Sequence, residues 1–195
     1  AFPALRALVL NRCALSSWRD VVALERALPL IEELYLAQNP NLADLDAVVA
    51  ADAGAGVVDE AGVRRATGFA RLRVLDLSDC ALGSWARQVA PFARLGALRV
   101  LQLTDNRLES VELVAPQTAR PAEAAADGVF ATLEHVALAG NPIADWASVD
   151  ALARLARLGS LRFGGAPVTR GLGASEVRVA VVARVPRLRQ LNGSL

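Results

Sequence analysis

Methionine and lysine are absent from this chain of 195 residues, histidine and tyrosine occur once each, and cysteine occurs twice. Each shortage removes a class of chemistry. The single His135 and the widely separated Cys13 and Cys80 cannot supply the closely spaced His/Cys ligands of a zinc site or a C-x-x-C redox pair. No apolar run approaches the roughly 20 residues that a membrane helix needs. Gly54-Ala55-Gly56 is followed by no third glycine and preceded by no convincing strand, and no Walker sequence is present, so a nucleotide loop is not expected. No Ser/His pair or carboxylate dyad recurs at a catalytic spacing. The chain therefore reads as a non-enzyme with no cofactor and no metal. Without lysine, arginine carries the positive charge; 21 basic against 20 acidic residues leave a net charge of +1. That balance implies no general attraction to nucleic acid or to an anionic membrane. The missing initiator methionine predicts a piece excised from a longer protein. Its opening, Ala1-Phe2-Pro3-Ala4-Leu5-Arg6, runs straight into a repeating pattern with no secretory signal, and the Asn192-Gly193-Ser194 sequon is accordingly read as incidental.

What is present is a repeat. The chain is 54% hydrophobic and 21% charged, which is globular in character. Self-similarity follows the leucine-rich template L-x-x-L-x-L-x-x-N/C-x-L. Leu98, Leu101, Leu103, Asn106 and Leu108 satisfy it completely, as do Leu133, Val136, Leu138, Asn141 and Ile143. Leu5, Leu8, Leu10, Cys13 and Leu15, and likewise Leu72, Leu75, Leu77, Cys80 and Leu82, fit with cysteine in the ninth place. Ile31, Leu34, Leu36 and Asn39 fit before one extra residue moves the last apolar position to Leu42. Leu158, Leu161, Phe163, Ala166 and Val168 form a degraded sixth copy, and Leu188 with Leu191 begins a seventh. The fold class expected is an α/β leucine-rich-repeat solenoid: a horseshoe with a parallel concave sheet and helices or loops on the convex side, forming one domain over 1–195.

The physical logic of the template is that no repeat can bury its own apolar face, so neighbours must stack. Positions four and six point inward from a short strand. The ninth residue turns inward where backbone groups would otherwise lack partners; Asn satisfies them, and Cys fills the place as a small buried residue. Position thirteen holds Ser17, Asp44, Ser84, Ser110 and Asp145, all N-cap types that predict a convex helix after each. Position fourteen holds Trp18, Trp85 and Trp146, a shared register that predicts core packing. Val149, Leu152 and Leu155 are spaced for a helix, and Val177–Val185 is read as helix from its place between two strands. Residues 50–67 and 115–128 exceed the repeat and are read as loops or loosely helical insertions.

Positions three, five, seven and eight project from the concave face. They gather an acidic group, Glu33, Asp76, Asp79 and Asp105, beside the only tyrosine, Tyr35. Arg12, Gln102, His135 and Arg162 complete the candidate partner-binding set. A rigid aromatic within a polar rim is a common anchor for a protein partner.

Beyond the generic repeat, particular phrases carry a family resemblance. Leu8-Val9-Leu10-Asn11 with Trp18 and Val21-Val22, Leu34-Tyr35-Leu36, and Leu75-Asp76-Leu77-Ser78 resemble the repeat domain of the tubulin-folding cofactor E family. So do Asn141-Pro142-Ile143-Ala144-Asp145-Trp146 through Leu161, and the ending from Val179 to Leu191-Asn192. Ala166-Pro167-Val168-Thr169 departs from the family's Asn-Pro-Leu-Thr, and the Ala/Arg-rich insertions depart as well. The resemblance implies a tubulin-binding scaffold that assists folding and dissociation of the α/β-tubulin dimer. It implies contact with α-tubulin and other tubulin-folding cofactors, and a monomeric, cytoplasmic, cytoskeleton-associated protein. Family members carry a CAP-Gly domain before the repeats and a ubiquitin-like domain after them; the sequence contains neither. The alternative is another intracellular adaptor of this repeat type, such as a phosphatase regulator or a ribonucleoprotein component. A basic concave stripe would favour RNA, and the acidic middle argues against it.

Overall fold

A computed structural model describes residue 2 and residues 4–43, 69–113 and 130–194. Seven short strands form one parallel sheet in strict chain order: β1 (Ala7–Val9), β2 (Glu33–Tyr35), β3 (Val74–Asp76), β4 (Val100–Gln102), β5 (His135–Ala137), β6 (Ser160–Arg162) and β7 (Gln190–Leu191). Register follows the apolar period without a slip: Leu8, Leu34, Leu75, Leu101, Val136, Leu161 and Leu191 stand on successive rungs. A one-residue slip would turn every one of these side chains to the solvent face, so the pattern itself pins the pairing.

The core is the stack of these rows. Leu34, Leu75, Leu101 and Leu161 at position four are buried, as are Leu36, Leu77, Leu103, Leu138 and Phe163 at position six. Each such side chain contributes roughly 1.5–3 kcal/mol through removal from water. The asparagines bind the stack at its turn. Asn106 accepts from the backbone N–H groups of Cys80 (3.1 Å) and Leu82 (2.9 Å), and donates to the carbonyls of Leu77 (2.8 Å) and Leu103 (3.0 Å). Asn39 and Asn141 repeat the arrangement, each stitching its own turn to the preceding repeat.

Cysteine in the same place behaves in two ways. Cys80 is buried, with its thiol 3.2 Å from the Leu36 carbonyl. Cys13, expected to be a buried structural thiol, is exposed, because no repeat lies on its outer side among the described residues. Both thiols are free.

The convex side varies from repeat to repeat. It comprises α1 (Trp18–Ala27), a 3-10 turn over Pro40–Ala43, a π-helical turn over Trp85–Val89 running into a 3-10 turn over Ala90–Arg94, α2 (Ala147–Leu152), a 3-10 turn over Pro167–Thr169 and α3 (Ala174–Arg184). The Val177–Val185 stretch is thus helical through Arg184. Ser84 accepts from the Arg87 N–H, and Asp145 from the Ser148 N–H at 2.7 Å, as capping residues do. Pro91 interrupts the third-repeat helix, since it has no N–H to continue the ladder. Ser110 caps no helix among the described residues: Ser110–Leu113 has no regular secondary structure. The Val111 N–H is taken by the buried Ser148 hydroxyl (3.0 Å) and the Leu113 carbonyl by Arg154 (2.8 Å), so this backbone is satisfied by the next repeat instead of by its own turn. Asp44 and both insertions, 50–67 and 115–128, lie outside the described residues.

Two tryptophans are core. Trp18 meets Phe92 edge-on at 5.2 Å, and Trp85 meets Phe130 at 6.0 Å. Trp146 is only half-buried; the Arg184 guanidinium covers its ring at 4.4 Å.

Candidate protein-interaction surface

Parallel pairing sorts the concave residues into rows. The position-five row reads Val9, Tyr35, Asp76, Gln102, Ala137, Arg162, each opposite the next. The position-three row reads Ala7, Glu33, Val74, Val100, His135, Ser160, Gln190. Tyr35 and Asp76 are therefore immediate neighbours, and Glu33 lies two residues before Tyr35 on the same face.

This trio forms one polar cluster. The Tyr35 hydroxyl donates to Glu33 Oε2 at 2.9 Å. That hydrogen bond, followed by partial burial and the negative charges of Glu33 and Asp76, raises the phenol above its ordinary range, so it remains a donor. Asp76 is oriented by the Ser78 N–H, which donates to its carboxylate at 2.9 Å. The ring is thus held with its edge fixed, and little rotamer freedom is left to lose on association.

A second chain runs along position eight. Arg12 donates to Gln38, whose amide reaches Asp79 at 3.4 Å. Position eight is left-handed in six successive repeats: Arg12, Gln38, Asp79 and Asp105 have φ of 57°, 62°, 53° and 55°, and Gly140 and Gly165 have 72° and 73°. Aspartate tolerates this region better than most residues, so Asp79 and Asp105 have a backbone reason for their positions that Glu33 and Asp76 lack. Gly140 has a second reason: a Cβ there would stand 2.0 Å from Asp105 Oδ1.

The remaining members of the expected set are dispersed. His135 is exposed on β5, and Arg162 lies four strands from Tyr35, roughly 19 Å at ordinary strand spacing. Gln102 sits next to Asp76 and is half-buried. Among the described residues, no group of three or more His, Cys, Asp or Glu side chains is placed to hold a metal ion, and no helix is long and apolar enough to cross a membrane.

Sequence reasoning missed the opposite edge of the sheet. Position two carries Arg6, Glu32, Arg73, Arg99, Glu134, Gly159 and Arg189 at the starts of the strands. Ion pairs join Arg6 to Glu32, Arg73 to Glu32 at 3.7 Å, and Arg99 to Glu134 at 2.7 Å. The signal was legible in the sequence as a row of mostly charged residues at position two of the repeats.

No family model matches the chain. Tubulin-folding cofactor E of Arabidopsis thaliana is 32% identical over 97% of this chain and 32% of its own length. Tubulin-specific chaperone E of Bos taurus is 29% identical over 98% of this chain and 32% of its length. A tubulin-specific chaperone cofactor E-like protein of Rattus norvegicus is 27% identical over the whole chain and 40% of its length. The chain thus spans about a third of the length of these relatives. Among solved structures, the SNF/U2A′ complex of Drosophila melanogaster aligns with a TM-score of 0.48 and 17% identity, covering 73% of this chain and 79% of that one. An internalin of Listeria monocytogenes aligns with a TM-score of 0.41 and 20% identity, over 88% of this chain and 43% of that one. With its seven parallel rungs, asparagine-stitched turns and similarity along nearly its whole length, the chain is a leucine-rich-repeat solenoid related to a segment of tubulin-folding cofactor E.

Proposed function

We propose that this solenoid is a tubulin-binding scaffold, contacting the α subunit and assisting folding and dissociation of the α/β-tubulin dimer alongside other tubulin-folding cofactors. The observation that carries the reading is the similarity to tubulin-folding cofactor E over 97% of the chain. The scaffold works as a cytoplasmic, cytoskeleton-associated monomer and by binding alone, presenting a preformed face. Seven strands at ordinary spacing make that face roughly 30 Å long, enough for an interface of about 800 Å² per partner. Tyr35 is the anchor, held by Glu33; Asp76, with Asp79 and Asp105 farther along, sets orientation and encounter rate. Arg12, Gln102, His135 and Arg162 form the margin of the contact.

The test is Tyr35→Ala combined with Asp76→Arg in the full-length protein, with folding checked by circular dichroism and tubulin affinity measured at low and high salt. The expected result is weaker binding, with a changed salt dependence because a charge has been reversed. Unchanged affinity at both salts with the fold intact removes the concave face from the mechanism.

A further inference from the structure

The starts of the strands carry more basic than acidic side chains. Arg6, Arg71, Arg73, Arg99, Arg157 and Arg189 are all exposed along this rim, against Glu32 and Glu134. In the middle of the rim the alternation of sign fails. Arg73 and Arg99 occupy consecutive rungs, since the Arg99 and Val100 N–H groups both donate to the Arg73 carbonyl at 2.9 Å. Like charges on neighbouring strands repel. Arg71 stands beside them and makes no ion pair among the described residues. Glu32 is shared between Arg6 and Arg73, and Glu134 pairs with Arg99, so the excess positive charge of this stretch centres on Arg71, with Arg73 and Arg99 as partly balanced neighbours.

These three arginines border an open groove of about 330 Å³ whose floor is small: Ala70, Gly96, Ala97 and Thr132. Small floor residues leave room for a guest backbone, and guanidiniums in a fork geometry take carboxylates two-pronged. Glu32 and Glu134 also line or flank this stretch, so the positive well is about one repeat wide. Among the described residues, no aromatic side chain lines it for base stacking. Both features disfavour a continuous phosphate backbone and favour a short run of carboxylates.

The geometry points to the Arg71–Arg73–Arg99 groove as a docking site for an acidic, glutamate- or aspartate-rich peptide segment of a partner protein, separate from the concave face. Its test does not involve tubulin, so its failure and that of the proposed function are distinguishable. A fluorescein-labelled peptide of glutamate and glycine is titrated with the full chain by anisotropy, beside a glutamine-for-glutamate version and a short oligouridylate. The glutamate peptide binds, more weakly as salt rises, and the glutamine version does not. Arg71→Glu with Arg99→Glu lowers affinity by about tenfold or more, whereas Arg157→Glu, on the same rim but outside the groove, changes it less than about twofold. Arg71→Gln removes charge without breaking an ion pair, and serves if the double variant does not fold; it weakens binding severalfold. Equal binding of the glutamine peptide, tighter binding of the oligouridylate, or equal losses at Arg71 and Arg157 overturns the assignment.

Discussion

The first and third repeats obey one template and have different fates. Leu75, Leu77 and Cys80 are fully buried, while their counterparts Leu8 and Leu10 are half-buried and Cys13 is exposed. Val9, on the outermost strand, is 62% exposed. The residues are alike; the number of neighbours is not. An interior repeat is covered on both sides, whereas β1 pairs only with β2 among the described residues. In a solenoid, stability is approximately a sum of repeat terms and nearest-neighbour interfaces, so a residue's contribution depends on its place in the stack as much as on its type.

The largest test of this comparison is truncation at position four. Leu101→Ala should cost roughly 2–5 kcal/mol, because a closed core cannot refill the cavity. Leu8→Ala, already half in water, should cost less than about half as much. Urea unfolding of both variants checks the ratio; equal losses would break the link between a repeat's burial among the described residues and its share of the stability. The turn asparagines give a smaller effect. Asn106→Ala strands buried N–H and carbonyl groups in two repeats and should cost about 1–3 kcal/mol. Asn192→Gly, which suits the left-handed backbone there (φ 54°) and removes only the exposed side chain's bonds to Phe163, should cost under about 1 kcal/mol by the same measurement.

The smallest effect is in the thiols. Cys13 should react with a thiol reagent in the folded chain and Cys80 only on unfolding, as mass spectrometry of labelled peptides would show. Burial raises the Cys80 thiol above its ordinary range, more than its backbone hydrogen bonds lower it. The unfolded chain then loses this proton first, so the contribution of Cys80 to stability is complete below about pH 8.5 and declines as pH rises beyond it. Cys80→Ser should flatten that alkaline decline; an unchanged slope would assign it elsewhere.

Register was legible in the sequence because an apolar period of two within a repeat allows one inward set only, and Leu34, Leu75 and Leu101 could align in no other way. The trio Glu33, Tyr35 and Asp76 was legible for the same reason: rows of a parallel sheet follow from repeat positions. The hydrogen bond that fixes Tyr35 was not, since it depends on a side-chain rotamer. Ser110 misled because its cap chemistry is local, and the backbone after it is satisfied by Ser148 and Arg154 of the next repeat.

By itself, then, the sequence determined the solenoid, its strand order and the inward rows, all of which follow from periodic burial. Only the tertiary structure decided what depends on neighbours. It exposed Cys13 beside the first described strand, laid Arg184 over Trp146, placed Asp79 and Asp105 in left-handed turns, and brought Arg71, Arg73 and Arg99 around one groove. Periodicity states which way a side chain faces; stacking alone states what it meets there.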